Sequence, residues 1–431
     1  MNAAPELLAA CLANPDADEP RFEWANAVGG PRGELVAVQC ALARGALPRD
    51  IAVDRRRREA ELLREHGDAW AGLGDLGYVF RRGFVESIRV DARDFVARGE
   101  ELFRAAPLLT RLQLDGLDDA PDEEILQRLD AVLESPWFSR IRTLRMKEVG
   151  RWVETDHDTH PRDYQSAGAV VLRRLIEKNG LRQLRGLEIP RNGLSGSDLR
   201  VLTAWPDAKV LIALDVRHQD VDRYTGLDSR DAHALVEAPN LENLEELDLS
   251  DALGHGPMLG GQTKAERAQS AKEHAERDAV LLRHPRILRL RKLAIANCGF
   301  SDAMIDSIAT APFERLELLD LSGNQVFAED FARFGAAPGL AKLKELVFDG
   351  PCKYVFNEKM ASALAEAPRF DALRVLRVRG NYVSTEAAAI LLKSPLAKRL
   401  ELIDLGRSSD LVPRAAEWRR MFDGVLLLGD D

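Results

Sequence analysis

The 431-residue sequence has few aromatic residues, 6% of the chain, and only four cysteines. Cys11, Cys40, Cys298 and Cys352 lie far apart, with no CxxC pair and no regular spacing. This pattern argues against a disulfide framework and a cysteine zinc site. It favours a reducing cytoplasm, in which the thiols act as small core residues.

Long apolar runs and a basic N-terminal segment are also missing. No stretch approaches the roughly 20 apolar residues that a membrane span needs. The first positive side chain is Arg21, so no secretion signal is predicted. The net charge of -10 argues against a general binder of nucleic acid or acidic membranes. We therefore expect a cytoplasmic protein that binds neither.

Leucine, by contrast, is abundant, with 63 residues in a chain that is too long for one ordinary core. A template with aliphatic residues in the pattern LxxLxL recurs, and its middle positions are 24 to 46 residues apart, with most of the shorter intervals in the upper twenties. Such a period is typical of a repeat architecture. The eleven matches are Val85-Ile88-Val90, Leu109-Leu112-Leu114, Ile141-Leu144-Met146, Leu184-Leu187-Ile189, Leu211-Leu214-Val216, Leu244-Leu247-Leu249, Leu290-Leu293-Ile295, Leu316-Leu319-Leu321, Leu343-Leu346-Phe348, Leu373-Leu376-Val378 and Leu400-Ile403-Leu405.

Eight of the 20 prolines mark the same period independently. Each lies four or five residues before the next template, and proline cannot continue a helix, so each predicts a helix-to-strand junction. Helix-start signals lie between template and proline at Ser197-Asp198, Ser301-Asp302 and Ser384-Thr385. The predicted unit is therefore strand, turn, helix, proline, strand. The prolines are Pro136, Pro206, Pro239, Pro285, Pro312, Pro338, Pro368 and Pro395.

These templates resemble the leucine-rich-repeat family, specifically its ribonuclease-inhibitor-like subtype. The family consensus places Asn or Cys three residues after the last aliphatic, as Asn192, Cys298, Asn324 and Asn381 do here. Other units depart from it, with Leu117, Val149, Gln219, Ala252, Pro351 and Ser408. The resemblance implies an α/β horseshoe solenoid over residues 84–412, with a parallel concave sheet and convex helices.

The N-terminal residues 1–46 are similar to a short bacterial repeat-companion domain, through Asn14-Pro15-Asp16 and Pro31-Arg32-Gly33-Glu34. From the residues alone, we expect short amphipathic helices that cap the first repeat, since solenoid ends must be covered. A helical linker at 47–83 follows, and 413–431 is predicted to be the C-terminal cap. Two long insertions, near 148–168 and 253–279, are either binding loops or tolerated surface loops.

Three motifs suggest chemistry and are better explained structurally. Gly72-Leu73-Gly74-Asp75-Leu76-Gly77 matches GxGxxG, but it follows a charged helix rather than a strand, so we expect a turn. His157 and His160 lack a third strong metal ligand. Arg55-Arg56-Arg57-Arg58 lies among carboxylates at helical spacing, which predicts a solvated helix. We expect no catalytic residue, metal or cofactor.

The favoured function is a non-enzymatic scaffold that binds a protein partner through the concave face. The alternative is a regulator of a small GTPase, since repeats of this subtype occur in GTPase activators. Outward template positions predict a face that is basic in the early units and more acidic in the middle ones, unless these charges pair with one another. The candidate residues are Arg111, Arg142, Arg145, Lys147, Arg185, Glu188, Arg191, Asp215, Glu245, Glu246 and Asp248.

Overall fold

A computed structural model describes residues 4–45, 47–118, 122–149, 167–219, 227–253, 264–350, 355–406, 411 and 415–428. The chain divides into two compact units. Unit 1 is Met1–Ala167 with Arg174–Glu188, and unit 2 is Gly168–Arg173 with Ile189–Asp431. The core of the first insertion, with Trp152, His157, His160 and Tyr164, lies outside the described residues, as does the start of the second at residues 254–263.

Unit 1 joins a helical segment to five strands in the order β1-β2-β3-β4-β5. β1 is antiparallel to β2, and the other neighbours are parallel. Helix α8 (Ala167–Glu177) has residues in both units. The other elements are α1 (Ala4–Ala13), α2 (Glu19–Val28), α3 (Gly30–Arg44), α4 (Arg49–Ala71), β1 (Gly77–Arg81), β2 (Phe84–Asp91), α5 (Ala92–Ala97), α6 (Gly99–Ala105), β3 (Arg111–Asp115), α7 (Asp122–Glu134), β4 (Thr143–Met146) and β5 (Gly186–Glu188).

Unit 2 repeats a short strand, a turn and a helix. Its strands run in the order β6-β7-β8-β9-β10-β12-β14-β15, all parallel, and β11 pairs separately with β13. The elements are α9 (Gly196–Ala204), β6 (Ala213–Asp215), α10 (Ser229–Glu237), β7 (Glu246–Asp248), α11 (Lys264–Leu281), α12 (Pro285–Leu288), β8 (Lys292–Ala294), α13 (Asp302–Thr310), β9 (Leu318–Asp320), α14 (Ala328–Ala336), β10 (Glu345–Val347), β11 (Val355–Phe356), α15 (Glu358–Ala365), β12 (Val375–Arg377), β13 (Tyr382–Val383), α16 (Thr385–Lys393), β14 (Leu402–Asp404), α17 (Ala415–Met421) and β15 (Val425–Leu427).

The predicted α/β fold class, with parallel strands in repeated strand-turn-helix units, is confirmed. Each of the eleven templates supplies one strand, and the middle aliphatics face each other in register, as Leu319 and Leu346 do. Both are fully buried, because alternate side chains of a strand share one face and the helices cover that face. Four of the described strands have no template: β1 and β15, which pair with β2 and β14, and β11 and β13, which pair with each other.

Helix starts agree with the sequence signals at two positions and differ at a third. The hydroxyl of Ser301 accepts the backbone N–H of Met304, and that of Ser384 accepts Ala387 N–H, as N-caps do. The start predicted at Ser197 is wrong by two residues. Helix α9 begins at Gly196 after Ser195, whose backbone N–H donates to the Asp198 carboxylate, so the competing serine is the cap.

The prolines do not all join a helix directly to a strand. Pro206, Pro239 and Pro338 each open a short 3-10 helix before the next template. Proline suits a first helical position, since its missing N–H would have no intrahelical partner there. The repeat is therefore strand, turn, helix and second short helix in these units.

Amide side chains satisfy the backbone at the turns of unit 2. Asn324 Oδ1 accepts Cys298 N–H at 2.8 Å, and its Nδ2 donates to Ile295 O at 2.8 Å. Gln219, which departs from the consensus, makes equivalent hydrogen bonds to the backbone. Its Oε1 accepts the N–H groups of Asn192 and Leu194, and its Nε2 donates to Ile189 O at 2.6 Å.

The N-terminal helices pack against the β1–β2 hairpin. Cys11, Cys40 and Val36 share a buried cluster with Phe84 and Leu108. A Cβ at Gly33 would lie 2.3 Å from Ala25 O, so glycine permits the close approach of α3 to α2. The amide of Gln39 reaches the hairpin turn, where Gly83 N–H donates to its Oε1 at 2.6 Å.

Candidate interaction surface

Two of the predicted basic residues of unit 1 converge on one carboxylate. Arg111 Nη2 lies 2.8 Å from Glu188 Oε1, and Arg145 Nη1 lies 2.7 Å from Glu188 Oε2. The parallel register of β3, β4 and β5 brings these residues together although they are 43 and 77 positions apart. Two guanidinium groups thus share one carboxylate on the exposed side of the sheet.

Arg142 and Arg185 lie just before adjacent strands. The backbone N–H of Arg185 donates to Arg142 O at 2.6 Å, and both side chains are exposed. Arg142 Nη1 donates to Ser139 O at 3.1 Å, which neutralises no charge. Lys147 Nζ lies 3.3 Å from Glu148 Oε1. We call Arg111, Arg142, Arg145, Arg185 and Glu188 the unit 1 basic surface.

The predicted acidic residues of unit 2 lie against cations. Arg217 contacts Asp215 at 3.2 Å and Asp248 at 3.3 Å. Both aspartates also accept backbone N–H groups two residues ahead, from Arg217 and Ser250. Burial raises the pKa of Asp248, and Asp320 adds to the rise, although Arg217 opposes it. These carboxylates therefore have a structural role at the strand ends.

Glu245 and Glu246 are compensated by the next repeats. Glu246 Oε1 lies 2.7 Å from Arg291 Nη2 and 3.0 Å from Lys292 Nζ, and Glu245 Oε1 lies 3.3 Å from Arg315 Nη1. Burial disfavours the charged form of Glu246, but Lys292 and Arg291 outweigh it and leave its pKa below the usual value. The same pairing of opposite charges between neighbouring repeats continues further along the sheet, where Lys344 Nζ lies 2.8 Å from Glu317 Oε1.

The structure thus brings together Arg111, Arg145 and Glu188 in unit 1, and Asp215 and Asp248 in unit 2. Arg191 belongs to unit 2, where it is exposed and has a positive φ of 57°. The sequence pattern predicted these charges without their partners, such as Arg217, Arg291 and Lys292. Arg291 and Lys292 occupy outward template positions too, and Arg217 directly follows the last template aliphatic, Val216, so the template and its next residue carry that signal.

The motifs that suggest chemistry have structural roles where they are described. Gly72 and Gly74 have positive φ in the turn from α4 to β1, the reverse of a dinucleotide site's strand-to-helix order. Arg58 in α4 forms a bidentate ion pair with Glu34, in which Nε donates to Oε1 at 2.8 Å and Nη2 donates to Oε2 at 2.7 Å. Among the described residues no group of three or more His, Cys, Asp or Glu is placed to hold a metal, and no helix is long and apolar enough to span a bilayer.

The described cysteines are buried thiols. Cys11, Cys40 and Cys298 are free and buried. Burial raises the pKa of Cys40 to about 12, and it raises the pKa of Cys298 as well. Because the thiolate is the reactive form, these side chains act as core residues. Cys352 lies outside the described residues.

Comparison with known proteins gives distant structural likenesses. No known protein family matches the chain, and no curated protein matches it. Among solved structures, the chain is similar to the crystal structure of the yeast Rad7 and Elc1 complex, with a TM-score of 0.46, 15% identity, and coverage of 98% of this chain and 92% of that one. It is also similar to a structural-genomics protein from Bacteroides fragilis, with a TM-score of 0.38, 14% identity, and coverage of 88% and 82%.

Proposed function

We propose that this chain is a non-enzymatic interaction module that binds an acidic protein partner through the unit 1 basic surface. The carrying observation is the imbalance of charge on β3, β4, β5 and the residues just before them. Four arginines lie there (Arg111, Arg142, Arg145, Arg185), against the carboxylates Asp115 and Glu188. Asp115 is itself paired with Arg89 at 2.5 Å.

Physical support comes from how such a surface acts on a partner. Strands about 4.8 Å apart hold the arginines close together, so their fields add within the Debye length of about 8 Å at physiological salt. An excess of one sign steers an oppositely charged partner and speeds its association. In unit 2 the sign of the outward charges alternates between neighbouring repeats, so the exposed side of the unit 2 strands presents a smaller net field.

The test reverses two charges and compares a matched variant. The double variant Arg142→Glu, Arg185→Glu is used as bait in affinity capture from a lysate of the source organism. The control is Arg200→Glu, Arg230→Glu, which makes the same charge change on exposed positions of α9 and α10. We expect a captured protein to be lost with the first variant and kept with the control.

Kinetics then decide the mechanism. With the captured protein purified, we expect the unit 1 reversal to slow association at least about tenfold at low salt, as loss of electrostatic steering does. Its melting temperature should change little, because both side chains are exposed. Association at the same rate for the native protein and both variants would contradict the proposed surface.

A further inference from the structure

Arg32 lies among four aromatic rings in the N-terminal part of unit 1. Its Cζ is 5.1 Å from the ring centres of Trp70 and Phe80, 5.7 Å from Phe84 and 5.9 Å from Trp24. These rings come from α2, α4, β1 and β2, so four elements build one recess around a cation. Ring faces attract a guanidinium.

This cation has no counter-charge in the described part of the chain. No described carboxylate forms an ion pair with Arg32, and its buried Nη1 makes no hydrogen bond there. Ring faces stack on the guanidinium plane, whereas its N–H donors lie in that plane and need oxygen acceptors. Burial lowers the pKa of Arg32 to about 10. A charge removed from water without a partner is unfavourable.

Two other ring-stacked arginines nearby do have carboxylates. Arg21 lies 5.4 Å from the same Phe84 ring and contacts Glu86 Oε1 at 2.6 Å. Arg44 lies 4.8 Å from Phe22 and contacts Asp18 at 2.9 Å. Stacking on a ring therefore does not by itself explain why Arg32 lacks an acidic neighbour.

The recess remains accessible from one side. Arg32, Trp24 and Trp70 are each partly exposed, and the adjacent Pro31 is exposed, whereas Phe80 and Phe84 are buried. Nη1 is the buried nitrogen of this guanidinium, so an incoming group would reach Arg32 through Nε or Nη2, without disturbing the inner rings. The rings restrict water, which strengthens a charge pair formed there.

We propose that Arg32 and its rings form a binding site for an oxyanion, a carboxylate or a phosphate, separate from the unit 1 basic surface. The ligand oxygens would accept the in-plane N–H donors of Arg32, the geometry in which arginine holds both anions. Trp24 and Trp70 would flank the bound group. This site goes beyond the proposed function and does not depend on it.

The test titrates the full chain with sodium phosphate and, separately, with sodium acetate, at constant ionic strength maintained with sodium chloride. Tryptophan fluorescence is the readout, because two of the recess rings are tryptophans. We expect a saturable change with at least one anion and a higher melting temperature at saturation, because ligand bound to the folded state stabilises it. Comparing the two titrations identifies whether a tetrahedral or a planar anion is preferred.

Three variants make the test specific. Arg32→Met should abolish the saturable change, and Arg32→Lys, which keeps the charge but loses the planar fork, should weaken binding about tenfold or more. Arg44→Met removes a ring-stacked arginine that has its own carboxylate, and it should bind as the native protein does. If Arg32→Met does not fold, Arg32→Lys decides the question. No saturable change in the native protein, or titrations of the Arg32 variants that match it, would overturn the proposal.

Discussion

The two units complete the same turn with different chemistry. Three residues after the last template aliphatic, unit 1 has the buried apolar residues Leu117 and Val149. Unit 2 has amides at this position in four of its described repeats (Asn192, Gln219, Asn324 and Asn381), whereas two others have the buried Ala252 and Cys298. Gln219, Asn324 and Asn381 donate to or accept from buried backbone groups. Apolar burial tolerates imprecise geometry, whereas a buried amide must find its partners. Unit 2 therefore has the more exacting turns.

The pKa values of several carboxylates also differ between the two units in the direction of their shift. In unit 1, arginine partners leave the pKa values of Glu34, Asp91 and Asp130 below their usual range, although burial opposes the effect at Asp91. In unit 2, burial raises the pKa values of Asp248 and Asp349, and neighbouring carboxylates such as Asp320 add to the rise, whereas Lys292 and Arg291 keep the pKa of Glu246 below its usual value. The pKa values of Glu34, Asp91 and Asp130 in unit 1 and of Asp248 and Asp349 in unit 2 are thus shifted in opposite directions.

The largest effect should come from a position at which the units do not differ. Leu112 in unit 1 and Leu319 in unit 2 are middle template leucines, with 1% and 0% exposure. Leu112→Ala and Leu319→Ala should each lower the free energy of unfolding by about 2–5 kcal/mol, because each leaves a cavity. Chemical denaturation followed by circular dichroism measures this. Unchanged midpoints for either variant would break the claim that both cores are built alike.

The amide turns should give the next largest effect, and only in unit 2. Asn324→Ala leaves Cys298 N–H and Ile295 O without their side-chain partner, at about 1–3 kcal/mol for each buried group left unpaired. Asn243→Ala is the control, since that amide is exposed and donates to Lys209 O. We expect a clearly lower melting temperature for Asn324→Ala and almost no change for Asn243→Ala. Equal losses would mean that burial of the amide is unimportant.

The smallest effect should be a pH-dependent change in melting temperature, which has opposite signs for a carboxylate of unit 2 and one of unit 1. Asp349 has a raised pKa in the folded protein, so its ionised form destabilises the fold at neutral pH. That cost fades as the pH falls through the folded pKa towards about 4, the unfolded value. Asp349→Asn should therefore raise the melting temperature at pH 7 and change it little at pH 4, by the equivalent of about 1 kcal/mol or less.

Asp130 provides the opposite case in unit 1. Its pKa is lowered by Arg174, 2.5 Å away, so its contribution is present above about pH 4 and is lost as the pH falls through the folded value. Asp130→Asn should lower the melting temperature at pH 7, and the difference should disappear as the pH falls below the folded pKa of Asp130. Thermal unfolding of both variants across this range is the measurement. The same sign of change in both at pH 7 would contradict the comparison.

The sequence by itself determined the repeat. Each of the eleven aliphatic templates forms one parallel strand, because the alternation that buries residues such as Leu319 and Leu376 is written within a few positions. Helix caps at Ser301 and Ser384 are local for the same reason. Where two local signals compete, as at Ser195 and Ser197, the sequence pattern was off by two residues.

Only the tertiary structure decided which polar groups meet. Strand register pairs Glu188 with Arg111 and Arg145, and it lets Gln219 reach Ile189 O across 30 residues. It also places the Arg32 guanidinium 5.1 to 5.9 Å from four ring centres, without an ion pair among the described residues. A repeated template predicts which side chains point outward from the sheet. The partner of each depends on residues tens of positions away, whose approach is set by packing of the whole unit rather than by any local pattern.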